Sequence, residues 1–166
     1  MQVEIRSAEP SDAEHYQRIY SQSPVQANTL QLPSSSLEYW KEKLSVCAKQ
    51  GKLRFVALVD GIVAGELTIY TQQNARISHV VSFGIGVDPA FAGQGVGSAL
   101  MKFCLTYAFN WLAVRKIELE VFHDNEVAIG LYKKFGFREE GLKKGAAFRN
   151  GRYEDVLLMA KDSPHI

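Results

Sequence analysis

Apolar and polar positions change period repeatedly along this chain, and each change marks an element. Val3-Glu4-Ile5-Arg6 alternates and predicts a first strand. Ser11 and Asp12 stand as caps to a helix in which Ala13, Tyr16, Ile19 and Tyr20 share a face. From Gln22 to Ser36 the pattern lapses into a polar, proline-containing connection with Val25, Leu30 and Leu32 in it. A connection of that length inside a compact domain is expected to serve function or stay disordered. Leu37, Trp40, Leu44 and Cys47 restore the helical period until about Gly51. Phe55–Val59 and Ile62–Tyr70 read as strands joined by an Asp60-Gly61 hairpin turn, and Gln72-Gln73-Asn74 makes a second turn.

His79–Val87 is the next strand. Asp88-Pro89 stops it, because proline has no N–H for a ladder and a fixed φ. Ala99, Leu100, Phe103, Cys104, Tyr107, Ala108 and Trp111 follow at helical spacing. Lys116–Phe122 is a strand. Ala128, Leu131, Tyr132 and Phe135 form a short helical stripe closed by Gly136-Phe137. Phe137–Phe148 and Tyr153–Met159 read as strands around a turn at Arg149-Asn150-Gly151-Arg152, and the tail from Asp162 to Ile166 is expected to fray. The order β-α-α-β-β-β-α-β-α-β-β predicts an α/β (α+β) fold. It would be a mixed, twisted sheet of about seven strands flanked by about four helices. No internal repeat or low-complexity segment interrupts it.

Composition narrows the function classes. The chain has 166 residues, so 1–166 is expected to be one domain with a full core. It is 46% apolar and 22% charged, as an ordinary globular protein is. A net charge of +1 without a basic block argues against nucleic acid and against an anionic membrane. Cys47 and Cys104 are far apart and suit neither a disulfide framework nor a metal, and they point to a reducing compartment. No apolar run spans a membrane, and MQVEIRSAEP has no basic region ahead of an apolar one. A cytoplasmic location is expected.

The chemistry begins where the strand ending at Val87 meets the helix starting after Gly97. Gly93-Gln94-Gly95-Val96-Gly97-Ser98 joins them. A glycine-rich turn into a helix leaves backbone N–H groups unpaired at the positive end of the helix dipole, a seat for phosphate or pyrophosphate. A nucleoside-triphosphate loop closes on Gly-Lys-Ser/Thr, and no lysine is present here. A dinucleotide fold carries its glycines after the first strand, whereas this turn lies past the middle of the chain.

The downstream segment adds Asn125-x-x-Ala128-x-x-Leu131-Tyr132-x-x-x-Gly136-Phe137 to Val87-x-Pro89-x-x-x-x-x-Gly95-x-Gly97. This pair of motifs, covering Phe83 to Phe137, resembles the Gcn5-related N-acetyltransferase superfamily. The resemblance implies an acyl-CoA N-acyltransferase fold, acetyl-CoA as co-substrate and no metal. It implies pantetheine lying along Ile85-Gly86-Val87 like an added strand, phosphates on Gly93 to Ser98, and a cofactor contact from Asn125. One departure is visible: the family usually places Gln or Arg three residues before the middle glycine, where this chain has Ala92.

Acetyl transfer to an amine needs help for the oxyanion, a route for the amine proton and an acid for the departing thiolate. Gly84 and Gly86 inside a strand suggest a bulge or a close approach, and a freed N–H near Ile85 would serve the thioester oxygen. Tyr132 stands in a helical stripe that by itself reads as core, and the resemblance assigns it as the acid. Seven residues separate it from Asn125, about two turns, so the two share a side of the helix. For the base, Glu120 is expected. Glu118 and Glu120 share a face of a strand, and some protein N-terminal acetyltransferases of the superfamily use a glutamate immediately before this valine. Glu66 and His79 are the alternatives. His15, His79, His123 and His165 show no metal-ligand grouping.

The acceptor is expected against Leu30 and Phe83 and the segment Lys143–Arg152, whose basic residues favour a small amine bearing a carboxylate, such as an amino acid. Polyamines and protein N-termini are the alternatives. So is a different class, a module that senses acetyl-CoA without catalysis, with a nucleotide-binding domain a third reading. A homodimer is left open.

Overall fold

A computed structural model of the chain describes residues 2–46 and 50–165. Its strands are β1 (Val3–Ser7), β2 (Lys52–Val59), β3 (Ile62–Tyr70), β4 (Val80–Val87), β5 (Lys116–Phe122), β6 (Arg138–Arg149) and β7 (Arg152–Asp162). Its helices are α1 (Ala13–Tyr20), α2 (Ser23–Ala27), α3 (Leu37–Ser45), α4 (Val96–Trp111) and α5 (Glu126–Lys134). The strands make one sheet in the order β1-β2-β3-β4-β5-β7-β6. Every pair is antiparallel except β4–β5, so the sheet is mixed as the pattern predicted.

Alternation along the strands sorts side chains to two faces. Leu67 and Ile69 of β3, Val81 and Phe83 of β4, and Ile117, Leu119 and Val121 of β5 pack with α4 and α5. On the opposite face Tyr16, Ile19 and Tyr20 of α1 and Trp40 and Leu44 of α3 cover Val56 and Val63. A small third cluster, Phe122, Ala147 and Val156, lies where β5 meets the last hairpin.

The parallel pair is the unusual feature. β4 and β5 are paired only at Val80, Val81 and Ser82 with Lys116, Ile117 and Glu118. Beyond that, β4 stays bonded to β3 through Val87, and β5 stays bonded to β7 through Phe122. The two strands therefore part, and the β4 edge from Phe83 onward has no strand partner on that side among the described residues. Crevices at the carboxyl ends of parallel strands are where open α/β sheets bind ligands.

Several sequence expectations change. A fifth helix, α2, occupies part of the stretch read as a polar connection, with Pro24 in its first turn. The β3–β4 turn is longer than Gln72–Asn74 and continues as a 3-10 turn, Ala75–Ile77, capped by Asn74. β4 has no bulge: its register with β3 runs unbroken from Ser82 to Val87, and the irregularities fall in β2–β3 and β6–β7. The tail is tied down rather than frayed as far as His165, since the Ser163 N–H donates to the Arg115 carbonyl and His165 reaches Asn110. The helical reading of Cys47 lies outside the described residues.

Asp12 does not cap α1 with its side chain. It turns back instead, accepting from Arg6 Nη1 and Nη2 at 2.8 Å each and from the Glu9 N–H at 2.8 Å. Burial pushes the Asp12 carboxyl up, but the Arg6 and Glu9 hydrogen bonds prevail and hold it below its ordinary value. A carboxyl whose pKa is lower folded than unfolded contributes stability that is complete above the unfolded value, about 4. That contribution is lost as pH falls through the folded value. Arg6→Met should therefore cost about 1 kcal/mol near neutrality, discounted for the partial exposure of Arg6. Urea midpoints of the two proteins should converge as pH falls below about 4. A gap independent of pH would show that the carboxylate pairing is not its source.

Candidate active site

The chain leaves β4 at Asp88, makes a 3-10 turn over Pro89–Phe91 and enters α4 through Gly93, Gln94 and Gly95. Asp88 fixes this exit. It is buried, ion-paired with Arg18 of α1, and accepts from the Ala90 N–H at 2.9 Å and from Gln22 at 3.2 Å. Gly93 (φ +73°) and Gly95 (φ +82°) take the left-handed conformation that L side chains rarely adopt. A Cβ at either would meet nothing within 4 Å, so the turn borders open space. Gly95 is the N-cap of α4 and offers no side-chain cap, and no acidic residue lies in the first turn. The N–H groups of Val96, Gly97 and Ser98 thus open the helix as orphan donors. Gln94 is exposed and bonds back to Ala90 through its amide.

Gly97 serves a different need. A Cβ there would lie 3.3 Å from Leu131 of α5 and 3.9 Å from Val87 at the end of β4. The absent side chain lets three elements meet at the mouth of the β4–β5 split. Asn125 caps α5, accepting from the Ala128 N–H at 3.3 Å.

Tyr132 packs on this assembly from α5, edge-on to Phe83 at 5.7 Å and tilted against Phe137 at 6.0 Å. Burial, with a smaller effect from Cys104, pushes its phenol up to about 12. It stays protonated at any physiological pH, as a proton donor must. Phe83 is the first β4 residue beyond the pairing with β5, so Tyr132 stands beside the split. Phe83, expected with Leu30 to line an acceptor pocket, belongs instead to the α4/α5 face. Period two puts Phe83, Ile85 and Val87 opposite Ser82, Gly84 and Gly86. Leu30 is 75% exposed in the α2–α3 connection, and the structure does not bring the two together.

The other face holds the remaining candidates. Glu120 projects from β5 into an ion pair with Lys143 of β6, each side chain about half exposed. Glu66 of β3 is fully buried opposite Gly86, accepting from Tyr20 of α1 and, at 2.9 Å, from Thr68. Burial pushes the Glu66 carboxyl up, opposed by the Tyr20 and Thr68 hydrogen bonds and by Arg54. His79 is exposed, preceding β4. The sequence marks Tyr20 only as a core aromatic. Its hydroxyl, hydrogen-bonded to Glu66, is a feature that helical periodicity does not reveal.

The two segments nominated for the acceptor do meet. Arg149, at the end of β6, donates to the Ala27 carbonyl of α2 at 3.2 Å and forks onto Asp124 just before α5. Its guanidinium lies 4.5 Å from the Phe122 ring centre. The basic character of Lys143–Arg152 is partly spent on these pairs, while Lys144 and Arg152 have no ion pair among the described residues. His123, Asp124 and Glu154 bring ligand atoms within 4.8 Å of one another, a grouping not visible in the sequence. Arg149 already supplies the cation there.

A sheet that parts beside an uncapped glycine-rich helix start, with a buried phenol over the gap, defines a transferase of the acyl-CoA N-acyltransferase fold. The chain belongs to the acetyltransferase (GNAT) family, whose profile matches residues 14–137. It is 46% identical over 160 residues to the L-amino acid N-acetyltransferase AaaT of Escherichia coli K12, covering 96% of this chain and 98% of that one. It is 34% identical over 113 residues to the spermidine N(1)-acetyltransferase of the same organism, covering 66% of this chain and 58% of the relative. Among solved structures, spermidine N-acetyltransferase from Vibrio cholerae in complex with CoA and spermine superimposes with a TM-score of 0.88. The identity is 26%, over 98% of this chain and 96% of that one. The chain is an N-acetyltransferase, and GNAT acetyltransferases use acetyl-CoA. No helix among the described residues is long and apolar enough to cross a membrane.

Proposed function

We propose that this enzyme acetylates the primary amine of an amino acid by direct attack on acetyl-CoA in a ternary complex. The observation that carries the substrate is the 46% identity to the amino-acid acetyltransferase along nearly its whole length. The donor site rests on the geometry. The orphan N–H groups of Val96, Gly97 and Ser98, with Gly93, Gln94 and Gly95 bordering open space, take the phosphates. The unpartnered β4 edge at Ile85, Gly86 and Val87 offers backbone groups to the pantetheine amides and, near Ile85, to the thioester oxygen. Asn125 keeps its capping role at the sulfur end, and Tyr132 gives its proton to the departing thiolate. Ala92 supplies no side-chain donor, so the backbone carries the phosphate contact.

The acceptor lies on the α1/α3 face, between the α2–α3 connection with Leu30 and the β6–β7 hairpin that Arg149 joins to α2. Glu120 and Lys143 stand on the same face and form part of its rim. Lys144 and Arg152 are the cations left for a substrate carboxylate. Polyamine acetylation is the second reading, favoured by the spermidine acetyltransferase relatives and by the carboxylates of Glu118 and Glu120 on that face. A screen of amino acids and polyamines, following release of the CoA thiol, separates the two. The expected result is turnover of one or more amino acids at least tenfold above spermidine, on the scale of about 1.4 kcal/mol of discrimination. Turnover of spermidine alone would replace the substrate and leave the donor site standing. Tight acetyl-CoA binding with no acceptor in the screen would favour the sensor.

A further inference from the structure

We propose that the amine proton leaves through Tyr20 to Glu66, a buried phenol–carboxylate pair seated against Gly86 on the face of β4 opposite Tyr132. This rests on the acetyl-transfer reading above and names the proton acceptor that reading needs.

The pair asks for an explanation, because Glu66 is only 3% exposed in the middle of the sheet. A carboxylate taken out of water there is costly, and an apolar residue would fill the space without that cost. Each oxygen has one hydroxyl donor: Tyr20 on Oε1, and Thr68 on Oε2 at 2.9 Å. Arg54 stands behind Thr68 and donates to its Oγ1 at 3.0 Å. Among the described residues such a carboxylate is held in place by hydroxyl donors, with the charges of Arg54 and Lys43 acting on it from further off, and it remains a base.

Position links the pair to the reaction. Glu66 is the β3 partner of Gly86, within the stretch where β4 has parted from β5. A Cβ built on Gly86 would stand 2.9 Å from the Tyr20 oxygen and 3.1 Å from its Cζ. The glycine therefore lets the phenol oxygen come directly against the β4 backbone beside the proposed thioester seat. Tyr20 cannot swing away easily, since its ring stacks on Trp40 at 5.0 Å. Tyr132 approaches the same stretch from the α4/α5 face. Acid and base thus stand on opposite sides of the strand that holds the thioester. A nucleophile entering from one side and a proton delivered to sulfur from the other call for that arrangement.

The step balances as follows. The amine nitrogen bonds to the carbonyl carbon and the carbon–sulfur bond breaks. The acceptor arrives as an ammonium ion, and its first proton goes to the Tyr20 oxygen while the Tyr20 proton goes to Glu66, which frees the lone pair for attack. Sulfur takes the Tyr132 proton, and the second nitrogen proton, shed as the amide forms, returns through solvent to the Tyr132 oxygen. Glu120, by contrast, is half exposed and already engaged in an ion pair with Lys143 of β6. The groups facing the pair are Tyr20 of α1, Lys43 of α3, Arg54 of β2, and Thr68 and Tyr70 of β3 around Glu66, with Tyr16 of α1 beside Tyr20. Burial pushes the carboxyl above its ordinary value, which strengthens it as a base.

The test uses Tyr20→Phe, which keeps the ring, and Glu66→Gln, which keeps the shape. Thermal melts and acetyl-CoA calorimetry monitor folding and donor binding. With the amino acid turned over best, both variants should lose roughly 10- to 1,000-fold in kcat at neutral pH, within the range for one proton-transfer group. The deficit should shrink as pH rises through the acceptor amine's own ionisation, because a free amine needs less help. A merely structural defect would be the same at every pH, and that result would overturn the proposal, as would turnover within threefold of wild type. Infrared difference spectra of wild type against Glu66→Gln, without any donor, supply a second readout. They should show Glu66 as a carboxylate at neutral pH, the form able to take a proton, and a carboxyl still protonated there would overturn the assignment. If wild type itself turned over no amine, the acetyl-transfer reading would fall, and the infrared result would still decide whether Glu66 is ionised and able to take a proton.

Discussion

Tyr132→Phe should lower kcat by roughly 10²–10⁴ while leaving acetyl-CoA affinity nearly unchanged. The substitution keeps the ring, its edge-on contact with Phe83 and its tilted contact with Phe137, so α5 keeps its seat. It deletes only the hydroxyl. A phenol at about 12 looks too weak an acid for a thiolate whose ordinary value is near 8.5. The surroundings answer the objection. Cys104, in the same cluster, has its thiol pushed by burial to about 12 as well. A leaving thiolate in an equally dry place has a similar proton affinity, and the transfer approaches balance. The sign of the pH dependence follows: Tyr132 must be protonated to act, so it sets no alkaline limb until pH approaches about 12. Single-turnover rates would check this, and an undiminished rate in the Phe variant would assign the proton to another donor.

Gly95→Asp is expected to weaken acetyl-CoA binding roughly 30- to 1,000-fold, corresponding to about 2–4 kcal/mol for like charges near 4 Å in a partly solvated site. The protein should still fold. Aspartate is a favoured N-cap and one of the few residues to tolerate a left-handed φ, so local strain and capping largely offset. The carboxylate would occupy the same N–H groups proposed for phosphate. Calorimetry with acetyl-CoA reads the loss directly, and Gly95→Asn, neutral and similar in shape, should recover most of it. Equal affinity in the Asp variant would move the phosphates away from the start of α4.

The legible part of this molecule was local. Asp88-Pro89 and the glycines up to Gly97 announce a strand end and a helix start within ten residues. Asn125 and Tyr132 share one short helix. The order of elements along the chain followed from alternation and turn chemistry, whereas α2 was hidden, because five residues around Pro24 are too few to show a period. The illegible part is long-range. Tyr20 and Glu66 are 46 positions apart, and in a helical stripe a tyrosine that packs reads the same as one that donates. Glu120 stood as a free carboxylate until β6 delivered Lys143, 23 residues on. Phe83 is an instructive case, since the information was present. Alternation with Gly84 and Gly86 already puts it on the face away from the open side of the strand.

The Arg149 clasp has an evolutionary consequence. Its guanidinium grips the main-chain oxygen of Ala27, not a side chain. Every amino acid carries that oxygen, so α2 and the connection after it can change sequence without releasing the hairpin. Variants of this scaffold can therefore drift through residues 23–36, beside the proposed acceptor site, while the hairpin stays clasped to α2. Replacing Arg149 itself would be the change that such drift could not absorb.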